Sequence, residues 1–235
     1  MTANTATKPI SNITNTPKNA WLASLALEFS FTPNGSQLTK TKRNGPLSVQ
    51  KAFYPEGRDC AHIYLLHPPA GIVSGDELRL NIQTNKQAHS LITTPGANRF
   101  YRAREDLSIG DSKQLQHCEL FLAEQAKCEN FPLETIVYEG ADGVNTVDVH
   151  LKADSAYLGW DITCLGLPSS GQLFKNGRYT QLNRVYCEDT LIYHDKIAVK
   201  PENKIHQHIA GLNNHNVFAT FMAYATEKKI SRTPE

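Results

Sequence analysis

From Trp21 onward, apolar and polar residues alternate with a period close to two, the spacing of a strand with one buried face. Trp21, Ala23, Leu25, Leu27 and Phe29 fall on one side of such a strand. Pro33-Asn34-Gly35 then predicts a turn. The alternation returns over 145–152, where Val147, Val149 and Leu151 are interleaved with Thr146, Asp148 and His150. Val185-Tyr186-Cys187 and Leu191-Ile192-Tyr193 flank Glu188-Asp189-Thr190 and predict a hairpin. Short apolar runs over 62–66, 90–93 and 135–138, bounded by proline, glycine or charge, predict further strands. Two stretches are ambiguous. Residues 115–126 fit a helix or a strand, and residues 216–229 fit a short helix or a strand followed by a tail.

The fold class that follows is mainly β: an elongated, β-helix-like scaffold of stacked sheets with many short strands and few helices. No strict repeat and no linker interrupt it. Residues 20–235 are expected to form a single domain behind a flexible N-terminal arm over 1–19.

Composition narrows the function classes. The chain has 235 residues, 40% of them hydrophobic, enough for a sizeable core. A formal net charge of +1 argues against nucleic acid as a partner. No apolar run approaches the roughly 18 residues of a membrane span. The opening MTANTATKPISNITNTPKNA lacks the apolar region of a secretory signal. Cys60, Cys118, Cys128, Cys164 and Cys187 are odd in number and widely spaced, without C-x-x-C, which predicts free thiols and a cytoplasmic location. The chain contains no G-x-x-x-x-G-K-[ST], no G-x-G-x-x-G opening a helix, no H-E-x-x-H and no G-x-S-x-G. The large enzyme classes built on those motifs are disfavoured.

Two punctuated stretches hold the candidate chemistry. LHPPAGIVSGDEL, over 66–78, is stiffened by two prolines and loosened by two glycines. It presents His67, a borderline nitrogen donor, and Asp76, a hard oxygen donor. The plainer alternative is that Asp76 accepts N–H bonds within the turn. LITTPGANRFYR, over 91–102, places Arg99, Phe100, Tyr101 and Arg102 together, a composition suited to a protein interface or to a buried turn. Cys60 and His62 share a face if extended, and so form a weak metal pair. His194-Asp195 and His206-Gln207-His208 offer further donors, but no spacing resembles a closed zinc site.

These segments, with two others, carry a resemblance. IYLLHPPAGIVSGDEL and LITTPGANRFYRA stand close together and in order. GPLSVQKAFYPEG precedes them, and GWDITCLGLPSSGQLFKNGRYTQLNRVY follows. Together they resemble the urease accessory protein family UreD, also called UreH, over most of Trp21–Val199. The resemblance implies a non-enzymatic urease maturation chaperone. Such a protein binds UreF, reaches the GTPase UreG through UreF, and assembles on urease apoprotein. It implies a scaffold through which nickel passes along an internal tunnel, with transient Ni²⁺ and no tightly bound cofactor. Asp76 matches the acidic position of the family turn and His67 its HPP histidine. Asn98 stands where a small polar residue is usual, and His194 where many members carry glutamate. All four are candidates for the nickel path.

The chain departs from the family pattern at Leu167 and Gln172, which replace an arginine and a glutamate, and at Ala70 and Ser74, which replace glycines. The family's C-terminal segment is expected to be missing after Glu235. These departures leave a second reading, a degenerate urease-binding protein that no longer supports nickel transfer. A third, a small hydrolase using an unrecognised cysteine or histidine, has little behind it.

Overall fold

A computed structural model describes residues 21–67, 69 and 71–226. The expected N-terminal arm, the position of Ala70 and the polar end of the 216–229 stretch lie outside the described residues. Among the described residues alternation becomes sixteen strands, in chain order β1 (Trp21–Thr32), β2 (Gly35–Asn44), β3 (Ser48–Val49), β4 (Ala61–Leu66), β5 (Asp76–Thr84) and β6 (His89–Thr93). They continue as β7 (Asn98–Phe100), β8 (Gln114–Leu122), β9 (Lys127–Phe131), β10 (Thr135–Val137) and β11 (Asp142–Leu151). The last five are β12 (Ala156–Leu167), β13 (Gln172–Leu173), β14 (Arg178–Cys187), β15 (Thr190–Val199) and β16 (Val217–Ala225). Among the described residues, helix is confined to two 3₁₀ turns, Leu107–Ile109 and Pro168–Ser170. The mainly β expectation holds.

The strands form two sheets. The first has the order β15-β14-β11-β8-β5-β1-β2; its five inner strands run parallel, and β2 and β15 fold back antiparallel at the edges. The second runs β3-β4-β6-β9-β12-β10-β7, parallel from β4 to β7, with β13 and β16 added antiparallel to β12. Parallel neighbours need a crossover between them. Here each crossover is a strand of the opposite sheet: β5 leads to β6, β8 to β9, β11 to β12. The chain therefore winds between the sheets, and each turn adds one rung to both.

Register lines up side chains from successive turns. Leu27, Ile82, Leu120, Val149 and Val185 face one another on five neighbouring strands and are all buried. Burial of each such side chain stabilises by about 1.5–3 kcal/mol. Ile63, Ile92 and Leu165 of the second sheet, all fully buried, close the core from the other side.

Both ambiguous stretches resolve as strands. In β8, Cys118, Leu120 and Leu122 are buried alternately, and pairing to β5 and β11 on both sides gives the backbone its hydrogen bonds. Residues 217–225 form β16 against β12. The 185–193 hairpin closes through Glu188 and Asp189, both in the left-handed region at φ 45° and 63°, as a tight two-residue turn requires. The five cysteines are all free.

Candidate functional site

The 66–78 turn packs directly on the 98–102 segment. Ile72 N–H donates to the Arg99 carbonyl at 2.7 Å, and Tyr101 N–H returns to the Ile72 carbonyl at 3.0 Å. Fully buried Gln114 ties the pair together: its amide donates to the Ile72 and Tyr101 carbonyls, at 2.8 Å each, and its oxygen accepts Asp142 N–H at 3.0 Å. Gly71 is needed for this closeness, since a Cβ there would lie 2.3 Å from the Tyr101 ring. Ser74 is buried, avoids positive φ, and accepts Arg104 N–H at 2.7 Å. A side chain in place of glycine is thus put to use at that position.

Asp76 is buried at the start of β5. Its carboxylate accepts Val73 N–H at 3.0 Å, so it serves its own turn. Burial raises its pKa, against the opposing pull of that bond, His67 and Arg104. His67 is pushed down by burial, although the Asp76 charge favours its protonation. Its Nε2 is enclosed without a hydrogen-bond partner. The turn thus holds a buried carboxyl and an imidazole within electrostatic reach of each other.

Between the sheets runs a chain of polar side chains. Asn98 donates to Gln116 Oε1 at 3.0 Å, and Gln116 donates to Asn145 Oδ1 at 3.1 Å. Asn145 Nδ2 donates to Asp161 Oδ2 at 3.2 Å and to Gln181 Oε1 at 3.0 Å. Gln181 Nε2 reaches Asp161 Oδ2 at 2.7 Å and Asn183 Oδ1 at 3.0 Å. Tyr179 Oη donates to Gln181 Oε1 at 2.9 Å. Gln116, Asn145 and Gln181 are in register on β8, β11 and β14, the same rung on which β1 and β5 carry Ala23 and Leu78. Asn98 and Gln116 are partly exposed, whereas Asn145, Asp161, Gln181 and Asn183 are buried. Asn183 Nδ2 ends the chain without a hydrogen-bond partner. Burial pushes the Asp161 carboxyl up to about 7, with the Gln181 bond pulling the other way. Its hydrogen-bond partners among the described residues are neutral amides, so nothing there compensates a buried charge.

The other candidate residues are dispersed. His194 is exposed on β15, opposite Arg184, and takes no part in the interior chain. Of the four residues read as a partner interface, Phe100 belongs to the core instead. It is fully buried, packs edge-on to Tyr179 at 5.4 Å, and crowds Gly143. Tyr101 and Arg102 do reach the surface, and with Tyr138, Glu139, Leu167 and Gln172 they line a cleft of about 370 Å³. Arg99 is half-buried at the 98–100 strand. Cys60 is buried, and its neighbours in ligand distance are His89 and Glu129. His62 lies 4.0 Å from Glu56.

Residues 22–234 match the family model described as UreD urease accessory protein. The chain belongs to the UreD family. A Psychromonas ingrahamii protein named urease accessory protein UreD is 67% identical over 225 residues, 96% of this chain and 72% of that relative. A Marinomonas sp. protein of the same name is 48% identical over 163 residues, 68% of this chain and half of its own length. The Saccharophagus degradans UreD is 37% identical over 207 residues, 88% of this chain and 69% of that protein.

Sequence reasoning reached one end of the interior chain of this UreD-family fold, Asn98, and missed Gln116, Asn145, Asp161, Gln181 and Asn183. A signal was available. Asn145 has the same parity as Val147 and Val149, Gln116 the same as Cys118 and Leu120, and Gln181 and Asn183 the same as Val185. Polar residues on the otherwise apolar face of a strand mark polar groups that the fold turns inward.

Proposed function

We propose that this UreD-family chain is a non-enzymatic urease maturation chaperone that conducts nickel to the urease metallocentre. In this reading it binds UreF, engages the GTPase UreG through UreF, and assembles on urease apoprotein. The observation that carries the reading is the interior polar chain, accessible at Asn98 and Gln116 and buried from Asn145 to Asn183.

Its chemistry suits a passing cation. Amide oxygens and a single carboxyl are weak ligands for Ni²⁺, and weak ligands let an ion leave. Asp161, raised to about 7, stays partly protonated near neutral pH, and an arriving cation favours loss of that proton. His67 and Asp76 lie on the turn at the start of β5, where Leu78, two residues on, faces Gln116. The 98–102 segment and its cleft offer the surface for a protein partner.

The test is co-expression of urease subunits and accessory proteins with and without this chain, followed by urease activity and nickel content. Omission is expected to leave urease nickel-poor, and unchanged nickel incorporation would refute the proposal. Asp161→Leu and Asp76→Ala should each lower activation while co-purification of the complex persists. Full activation by both would remove these residues from the path.

One observation favours the second reading, a urease-binding protein that no longer transfers nickel. Leu167 and Gln172 place two uncharged side chains in the cleft beside Arg102. Co-purification with apoprotein but not with UreF, restored by Leu167→Arg with Gln172→Glu, would support that reading.

A further inference from the structure

A second cluster of ligating side chains lies on the opposite face of the second sheet. Strands β4, β6 and β9 are parallel neighbours, with Ala61, Ser90 and Cys128 aligned and buried toward the core. Residues one position to either side must point outward. Cys60, His89 and Glu129 are such residues, and their ligand atoms lie within 4.8 Å of one another. His89 Nε2 and Glu129 Oε1 are 2.8 Å apart. Bonds of about 2.0–2.3 Å in a tetrahedral shell place ligand atoms roughly 3.3–3.8 Å apart, so small side-chain shifts satisfy a metal here.

We infer that Cys60, His89 and Glu129 form a site for a borderline divalent transition metal, of the zinc and nickel class, separate from the interior polar chain. The donor set is one sulfur, one imidazole nitrogen and one carboxylate oxygen, which suits such ions and not calcium or magnesium. Three protein ligands leave the fourth position open. His62 points from the same face of β4, two residues beyond Cys60, and its enclosed Nε2 has no hydrogen-bond partner.

The local charge agrees. Among the described residues Glu129 takes its ion pair from His89 alone. The carboxylates of Glu129 and Glu56 bring negative charge to the Cys60 thiol, and Lys127 is the opposing cation nearby. A divalent cation answers those carboxylates. The metal–sulfur bond forms as the S–H bond breaks, and the proton leaves to solvent. The cluster of His117, Glu119 and Asp148 on the outer face of the first sheet is a useful contrast. There both Asp148 oxygens already accept from Arg184, at 2.7 Å each, so the guanidinium fills the place a cation would take.

The experiment is a Co²⁺ titration of the 235-residue chain, read by absorption spectroscopy. The wild type should develop a thiolate-to-cobalt charge-transfer band and the intense visible bands of four-coordinate cobalt, saturating at one equivalent. Cys60→Ser should abolish the charge-transfer band. His89→Gln and Glu129→Gln retain the thiol and should each weaken Co²⁺ binding about tenfold or more. Glu119→Gln, in the cluster that Arg184 fills, should leave the charge-transfer band unchanged, and because that band needs a thiolate it reports Cys60 and not the interior route. Competition with Zn²⁺ and with Ni²⁺ identifies which ion holds the site, and displacement of cobalt by either supports it. No charge-transfer band in the wild type, a band that survives Cys60→Ser, or unchanged affinity in both glutamine variants would overturn the proposal.

Discussion

Asp148 and Asp161 are two aspartates of nearly equal burial, 4% and 6% exposed, in opposite electrical states. Asp148 lies on the outer face of β11, under the side chains of β8 and β14. Burial alone would raise its pKa, but hydrogen bonds from His117 at 2.9 Å and Arg184 at 2.7 Å outweigh it and hold the carboxyl at about 2. Asp161, between the sheets, takes its hydrogen bonds from the amides of Asn145 and Gln181 among the described residues and rises to about 7. Burial is common to both, so the neighbours decide. The outer face spends charge on holding strands together, while the inner face keeps a carboxyl in reserve.

The largest test of this contrast is Asp161→Asn. A carboxyl at about 7 in the fold and roughly 3.9 in the unfolded chain ionises first when unfolded. Its contribution to stability therefore falls as pH rises from about 4 to 7, by up to about 4 kcal/mol. The variant should match the wild type near pH 4 and exceed it above pH 7, as urea unfolding across that range would show. Asp148→Asn should act in the opposite sense. Its depressed pKa contributes stability that is complete above about 4 and lost as pH falls through about 2. A loss of about 2 kcal/mol at pH 7, fading toward acid, is expected once solvent screening of its partners is allowed for.

Arg184→Lys is a finer probe. It keeps the charge but loses the two-pronged contact, and should cost about 1 kcal/mol at neutral pH. The smallest effect belongs to His150, stacked between Phe121 at 4.6 Å and Tyr186 at 4.8 Å beside Asp148. Burial lowers the His150 pKa, so protonation opposes folding in acid. His150→Phe should preserve the stack, change neutral stability by less than about 1 kcal/mol, and lessen the loss on going below about pH 6.5.

Much of the fold could be read in advance, because alternation in β1 and β11 and the Glu188-Asp189 turn are local properties of the chain. Residues 115–126 were ambiguous since Leu115 and Phe121 add apolar side chains to the outer face of β8 and blur its period. The signature turn was legible as rigid, and Asp76 proves to bond within the turn while lying within electrostatic reach of His67. The interior chain was not legible as a unit. Its members come from β7, β8, β11, β12 and β14, and only pairing register brings them together. Cys60 looked like a partner of His62 because they are neighbours in sequence; its ligand-distance neighbours come from β6 and β9.

Because three neighbouring strands of the winding, β8, β11 and β14, each contribute a member to the interior chain on one rung, the fold constrains how such a gene can change in length. Removing one codon within β8, β11 or β14 would swap the inner and outer faces beyond that point. Gln116, Asn145 or Gln181 would then turn outward and an outer residue inward. Insertions and deletions should be tolerated in the connecting turns and rejected inside these strands, a pattern of gaps that comparison of homologous genes can reveal.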